Sequence, residues 1–387
     1  MSTTVSSIPS ATKASKAKKA FTTSKDTLEQ FKLFIDAALR GEGKNDELLE
    51  LTKNDTHTLE ADIHTVTSTF DKVKAPLKAI VVSVLAKLVY PSWDTRKHQP
   101  QIGGEHSLRS IDSTYVCPYL YSISLYPEAT AFALTRSFEK SEPFTKNYNG
   151  KAKYPEQMSA FLNIVHSINE QYSPELCKAI LAKCMFFLQQ RKLAGDVLKS
   201  TTLSVSQSVS LKTVQTLLAK VFTSTSSGIA VVPAIVIHTA LSIVQPHLWP
   251  GCTIKPLKEH TAADGNSKAI GDVEGYRADN TPFLSVEVKY NIQLDSTLIS
   301  TFEAKTTDVP LRYMVTTKER VCEATDSNII LSTVNDAVLH ILQPALVHKK
   351  TIPLEFVQSL RSTILYYRNL GLPARTAINK VFTEILA

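Results

Sequence analysis

Apolar residues recur at three- and four-residue intervals through the first half of the chain and at two-residue intervals later. Leu28, Phe31, Phe34 and Ile35 share one helical face behind an Asp26-Thr27 cap. Helical spacing continues through 57–90, with a break expected at Pro76. Further helices are predicted near 128–140, 155–171, 174–194 and 208–222, where Pro155 and Pro174 suit first-turn positions. An uncharged helix is predicted over 229–245. The period then changes: Leu284, Val286, Val288 and Tyr290 alternate with Ser285, Glu287 and Lys289, giving a strand with one apolar and one charged face. Strands are predicted near 268–276, 283–290, 311–316 and 328–331, and helices over 294–305, 334–347 and 353–386, the last turning at Gly371-Leu372-Pro373. This order predicts an α+β or α/β fold: a helical N-terminal region, then a mixed sheet flanked by helices. There are no internal repeats and no coiled-coil heptads.

Residues 1–25 read as a basic, disordered tail, 26–225 as a mainly helical region, and 226–387 as the sheet-containing part with C-terminal helices. Of the net charge of +7, the tail supplies +5 through Lys13, Lys16, Lys18, Lys19 and Lys25 with no acid, which leaves +2 for the rest. A nucleic-acid binder with that balance must concentrate its positive charge in a groove. Cys117, Cys177, Cys184, Cys252 and Cys322 are scattered and form no C-x-x-C pair. They read as reduced thiols of a cytoplasmic protein rather than a disulfide frame or a zinc site. No apolar signal-peptide run opens the chain. Residues 228–248 carry no charge and are long enough to span a bilayer. Pro233, His238, Gln245, Pro246 and His247 within them favour a buried core helix.

The candidate chemistry lies in Ile270-Gly271-Asp272-Val273-Glu274-Gly275 and in Ser285-Val286-Glu287-Val288-Lys289-Tyr290. A hairpin turning at 278–282 would lay the Asp272 strand beside Glu287 and Lys289, which share a strand face. Two carboxylates and an ammonium would then converge. Asp272 and Glu287 are hard oxygen ligands suited to Mg²⁺, and the Val288 carbonyl could complete the shell. Lys289 could orient water or offset charge on a phosphate. Glu274 and Glu259 are possible accessory carboxylates. The same pattern also suits a solvated hairpin face. A second Glu-x-Lys, Glu303-Ala304-Lys305, falls in a helical run and reads as a surface pair.

Residues 93–112 form a long polar loop. Its Arg96, Lys97, Gln99, Gln101, Ser107 and Arg109, together with Arg277 elsewhere, are of the types that bond phosphates and base edges. Gly103-Gly104 permits a left-handed turn or close backbone approach. A polar cluster at 136–150 is equally compatible with a plain surface.

Glu105-His106-Ser107-Leu108-Arg109-Ser110-Ile111, then Glu142-Pro143-Phe144, Gly271-Asp272-Val273 and Val286-Glu287-Val288-Lys289 follow one another in an order that resembles type II restriction endonucleases of the PD-(D/E)xK superfamily, most like the SacI group. The resemblance covers residues 90–350 or so, and Gly271 stands where the superfamily pattern has Pro. It implies a nuclease core with Asp272 and Glu287 as Mg²⁺ ligands and Lys289 as the catalytic lysine. The implied reaction is sequence-specific hydrolysis of double-stranded DNA to 5′-phosphate and 3′-hydroxyl ends. A homodimer on palindromic sites and a cognate DNA methyltransferase as functional partner are implied with it. A DNA repair or recombination nuclease on the same core, and a non-catalytic helical nucleic-acid-binding module, are the alternatives.

Overall fold

The computed structural model describes residues 25–54, 57–127, 138, 141–148, 154–201, 208–223, 229–257, 269–318, 328–367 and 370–386. The predicted disorder of the first 24 residues, almost all of the helix expected over 128–140, Cys322 and the candidate carboxylate Glu259 lie outside the described residues.

The described residues form a mixed α/β structure with two large apolar cores. The first is helical: α1 (Lys25–Leu39), α2 (Asp46–Leu51), α3 (Leu59–Ser68), α4 (Ala75–Val89), α5 (Leu108–Ile111), α6 (Cys117–Ser122), α7 (Pro155–Glu170) and α8 (Pro174–Ser200), with a two-stranded ribbon of β1 (Lys53–Asn54) and β2 (His57–Thr58). Pro76 opens α4 instead of breaking a helix, because the first turn has no use for its missing N–H. α4 runs through the centre of this core and buries both of its lysines; Lys87 Nζ donates to the Trp93 carbonyl at 2.9 Å.

The second core begins with α9 (Leu211–Phe222), whose Val214, Leu217, Leu218 and Val221 pack with α10 (Val232–Leu248) and the C-terminal helices. The boundary between the cores therefore falls before α9, earlier than the 225/226 division read from the sequence. α10 is the one helix among the described residues apolar and long enough to cross a membrane by composition. Here it is a core helix, packed on α12 (Val334–Ala345), α13 (Ile352–Tyr366) and the sheet. α14 (Leu372–Leu386) closes the chain after the turn at Gly371.

The sheet comprises β3 (Thr253–Ile254), β4 (Val273–Tyr276), β5 (Pro282–Lys289), β6 (Leu311–Thr316) and β7 (Ile330–Thr333), in that spatial order. β3, β4 and β5 pair antiparallel, whereas β5, β6 and β7 run parallel. Alternation assigns the faces. Val273, Leu284, Val286 and Val315 point into the second core. On the opposite face, Met314 packs with Ile299 and Phe302 of α11 (Ser296–Lys305), the crossover helix between β5 and β6. The second Glu-x-Lys pair, Glu303 and Lys305, lies on α11.

Candidate active site

The β4–β5 hairpin forms where the sequence places it. Arg277 N–H donates to the Thr281 carbonyl at 2.9 Å, and Asn280 takes a left-handed φ of 63°. Val273 stands opposite Val286 and Glu274 opposite Ser285. Asp272, just before β4, thus lies at the same end of the hairpin as Glu287 and Lys289, while Arg277 sits at the tip, the other end. Arg277 is spent on the turn, with its guanidinium directed to Thr281 Oγ1 at 3.4 Å, and does not flank the carboxylates.

Asp272 is tied to β5 twice. Its N–H donates to the Val286 carbonyl at 2.9 Å, and its Oδ2 accepts the Val288 N–H at 2.7 Å. The side chain takes over the ladder position that a backbone carbonyl would fill if β4 extended one residue further. Val288 separates Glu287 from Lys289, so the first carboxylate lands on the backbone between the other two candidates. Lys289 Nζ meets Glu287 Oε1 at 2.7 Å, with both side chains mostly shielded from solvent. In a strand, the N–H and C=O of one residue point to the same side. Lys289 gives its carbonyl to Thr317 N–H on the β6 side, and Val288 gives its N–H to Asp272 on the β4 side. The Val288 carbonyl therefore also faces Asp272, just beyond the start of β4. Two carboxylates and a carbonyl oxygen on one sheet end are a hard donor set that fits Mg²⁺, which needs few protein ligands because it keeps several waters. No cluster of three or more His, Cys, Asp or Glu suited to a metal occurs among the described residues, so a cation here would have to rely on backbone oxygen and water beside Asp272 and Glu287.

Glu274 plays a different part from the accessory ligand suggested by its spacing. It is buried, and its carboxylate accepts Ile270 N–H at 2.8 Å, Tyr276 Oη–H at 2.9 Å and Lys255 Nζ at 3.2 Å. Of these three donors, Ile270 belongs to the loop before Asp272, so the carboxylate ties that loop to β4. Ser285, its partner across the hairpin, donates from Oγ to the Ile270 carbonyl at 2.9 Å. Lys255, Tyr276 and Ser285 were missed in the sequence. Only Ser285 left a signal there, as a small polar residue on the charged face of β5.

Burial pushes the Glu274 carboxyl up, but the donors Tyr276, Ile270 N–H and Lys255 outweigh it and hold the group below its ordinary value of 4.5. A depressed acid stabilises the fold above its unfolded pKa and loses that contribution as pH falls through the folded pKa. Glu274→Ala is therefore expected to cost about 1–3 kcal/mol in urea melts at pH 7, since two half-buried donors lose their acceptor while half-exposed Lys255 adds little. The gap between variant and wild type should narrow below pH 4.5.

The polar loop at 93–112 is more structural than its composition suggests. Arg96 is clamped by Asp94 (Nε–Oδ1 2.9 Å) and Glu170 (Nη1–Oε1 2.8 Å). Ser107 caps α5 by accepting Ser110 N–H. Leu108 and Ile111 are fully buried, and Phe144 stacks on His98 with ring centroids 4.2 Å apart. Gly103 takes a φ of 84°, and a Cβ on Gly104 would lie 2.0 Å from the Lys97 carbonyl oxygen, so both readings of the Gly pair hold. Lys97, Gln101 and Arg109 are exposed and Gln99 is half-buried. The loop packs with α4 and α7 in the first core, whereas the carboxylates belong to the second.

A cleft of about 390 Å³ opens at the carboxyl ends of β6 and β7, between α9 and the start of α12. Thr316, the register neighbour of Lys289, lines it. Crevices outside the carboxyl ends of parallel strands are where open α/β sheets take ligands.

The chain matches no family model, and no characterised protein is significantly similar to it in sequence.

Proposed function

We propose that this protein is a Mg²⁺-dependent endodeoxyribonuclease of the type II restriction kind, a cytoplasmic homodimer that cleaves double-stranded DNA site-specifically and works beside a cognate methyltransferase. The observation that supports this reading most directly is the 2.7 Å bond from Val288 N–H to Asp272 Oδ2, which draws one acid onto the backbone between Glu287 and Lys289. A solvated hairpin face would not need a carboxylate bound at that amide, nor a buried Glu274 and a Ser285 hydroxyl fixing the loop that presents it.

Asp272, Glu287 and the Val288 carbonyl would hold the cation. Bound there, Mg²⁺ would polarise the scissile phosphate and lower the pKa of water. Lys289 keeps its ammonium beside Glu287, so a positive charge is fixed where negative charge builds on the phosphoryl oxygens. Glu287 and Lys289 share β5, and the Val288 N–H ties the Asp272 carboxylate to the same strand.

Incubation of unmethylated phage DNA with purified protein and Mg²⁺ should give discrete fragments carrying 5′-phosphate ends, and EDTA should abolish them. Cleavage that survives EDTA would remove the metal mechanism. Cutting confined to branched or damaged DNA would point to a repair nuclease, and DNA binding without cleavage to a non-catalytic module.

A further inference from the structure

A second polar cleft, of about 350 Å³, lies where the two cores meet, between α8 and the turn joining α13 to α14. Its size suits a small ligand. Lys74, Arg191, Lys192, Lys199 and Arg375 all line it, with Asp196 as the one lining carboxylate. Asp71 adds a second acid behind the wall, bound bidentately by Arg191 at 2.5 and 2.8 Å. With Lys74 set aside, Arg191, Lys192, Lys199 and Arg375 against Asp71 and Asp196 leave a surplus of two positive charges among the described residues.

Arg375 is the least compensated of these groups. Among the described residues no carboxylate forms an ion pair with it and its buried Nε–H has no acceptor, while Nη1 donates to the Leu365 carbonyl at 3.0 Å. Burial, then the neighbouring Arg191 guanidinium, hold its pKa below the usual range. Two guanidiniums brought together in a shielded site are costly unless an anion joins them. Arg375 lies against α8 at Gly195, where an added Cβ would be in ordinary contact with Nη2 at 3.7 Å.

Tyr126 closes the inner wall of the cleft and is only 1% exposed. Its hydroxyl lies on the side of Asp112, Cys117 and Cys184 in the first core, where burial holds the phenol protonated. The cationic surplus around a guanidinium with an unpaired Nε–H matches a ligand with many acceptor oxygens and more than one negative charge.

We propose that this cleft binds a small ligand through its phosphoryl groups, with Arg375 and Arg191 as the principal anchors. A diphosphate matches the surplus better than a monocarboxylate, which brings one charge and two oxygens. The site draws on α8 and α14 and uses none of the residues around Asp272, so it stands or falls separately from the nuclease reading.

Pyrophosphate titrated calorimetrically into the full-length protein, with ionic strength held constant by NaCl, should bind saturably with a Kd of about 1 mM or tighter. Arg375→Gln should weaken binding at least about tenfold, the loss expected for a charged partner buried with its anion. Since that variant could fail to fold, Lys192→Glu and Lys199→Glu on the cleft rim are measured beside it, with far-ultraviolet dichroism to check the fold. Each should weaken binding by about threefold or more, and Lys305→Glu on α11 should not. Absence of saturable binding, or unchanged affinity in folded Lys192→Glu and Lys199→Glu, would overturn the proposal. So would occupation by a short DNA duplex alone, detected as duplex binding lost in these variants while pyrophosphate fails to compete.

Discussion

Asp272→Ala is expected to leave the chain folded and its affinity for duplex DNA within about tenfold, yet to reduce Mg²⁺-dependent cleavage by about 10³-fold or more. Lys289→Ala should do the same for a different reason. The first variant removes a carboxylate whose Oδ2 rests on Val288 N–H; the second removes the ammonium 2.7 Å from Glu287. Asp272→Asn refines the first result. Its amide oxygen can still accept the Val288 N–H, so the loop stays in position while the charge is lost. If the charge holds the cation, Asp272→Asn should be as inactive as Asp272→Ala but melt within about 0.5 kcal/mol of wild type. Urea melts, single-turnover cleavage and DNA binding on all three variants separate position from charge. Full cleavage by both alanine variants would remove the site assignment.

The sequence made the hairpin legible because its two signals are local. Alternation from Leu284 to Tyr290 assigns Glu287 and Lys289 to one face, and Asp279-Asn280 supplies a turn residue that tolerates positive φ. The long helices α7 and α8 were legible for the same reason, down to Pro155 and Pro174 in their first turns, whereas the short α5 and α6 were not. What the sequence could not convey was the destination of polar side chains. Glu274 and Asp272 look equivalent by spacing, yet one is consumed by Ile270, Tyr276 and Lys255 while the other binds the Val288 amide. The difference depends on how the loop at 269–272 folds back, and no periodicity encodes that. The partners of Arg96 and Ser107 were hidden in the same way. Both are residue types that bind nucleic acid, and both are used here for an internal ion pair and a helix cap. Their partners Asp94 and Ser110 are close in sequence, but Glu170 is reached only through the packing of α7. β3 was invisible because two residues carry no measurable alternation.

Gly271 offers the sharpest test of how closely the turn follows the nuclease pattern. A Cβ there would lie 2.5 Å from Ser285 Oγ, 2.8 Å from the Val286 carbonyl oxygen and 3.2 Å from its carbon. Ser285 cannot simply rotate away without giving up its bond to the Ile270 carbonyl, and the Val286 oxygen is backbone that already receives Asp272 N–H. The loop itself has to lift. Gly271→Ala should therefore cost about 1–3 kcal/mol, the usual range for overpacking. Because Asp272 is the next residue, displacement of its carboxylate by about 1 Å should also reduce cleavage about 100-fold. A domain with ordinary stability of about 5–15 kcal/mol stays folded under that loss, so the activity change cannot be blamed on unfolding. Gly271→Ala with Ser285→Ala removes the first clash and leaves the second, and should recover only part of the activity. Gly271→Pro introduces the residue that the PD-(D/E)xK pattern carries at this place, but its ring carbon meets the same Val286 carbonyl. It should be at least as damaging as alanine. Wild-type cleavage by Gly271→Pro would mean that the loop rests further from β5 than these distances require, and that Asp272 owes its position to something other than the close passage of Gly271 over Val286.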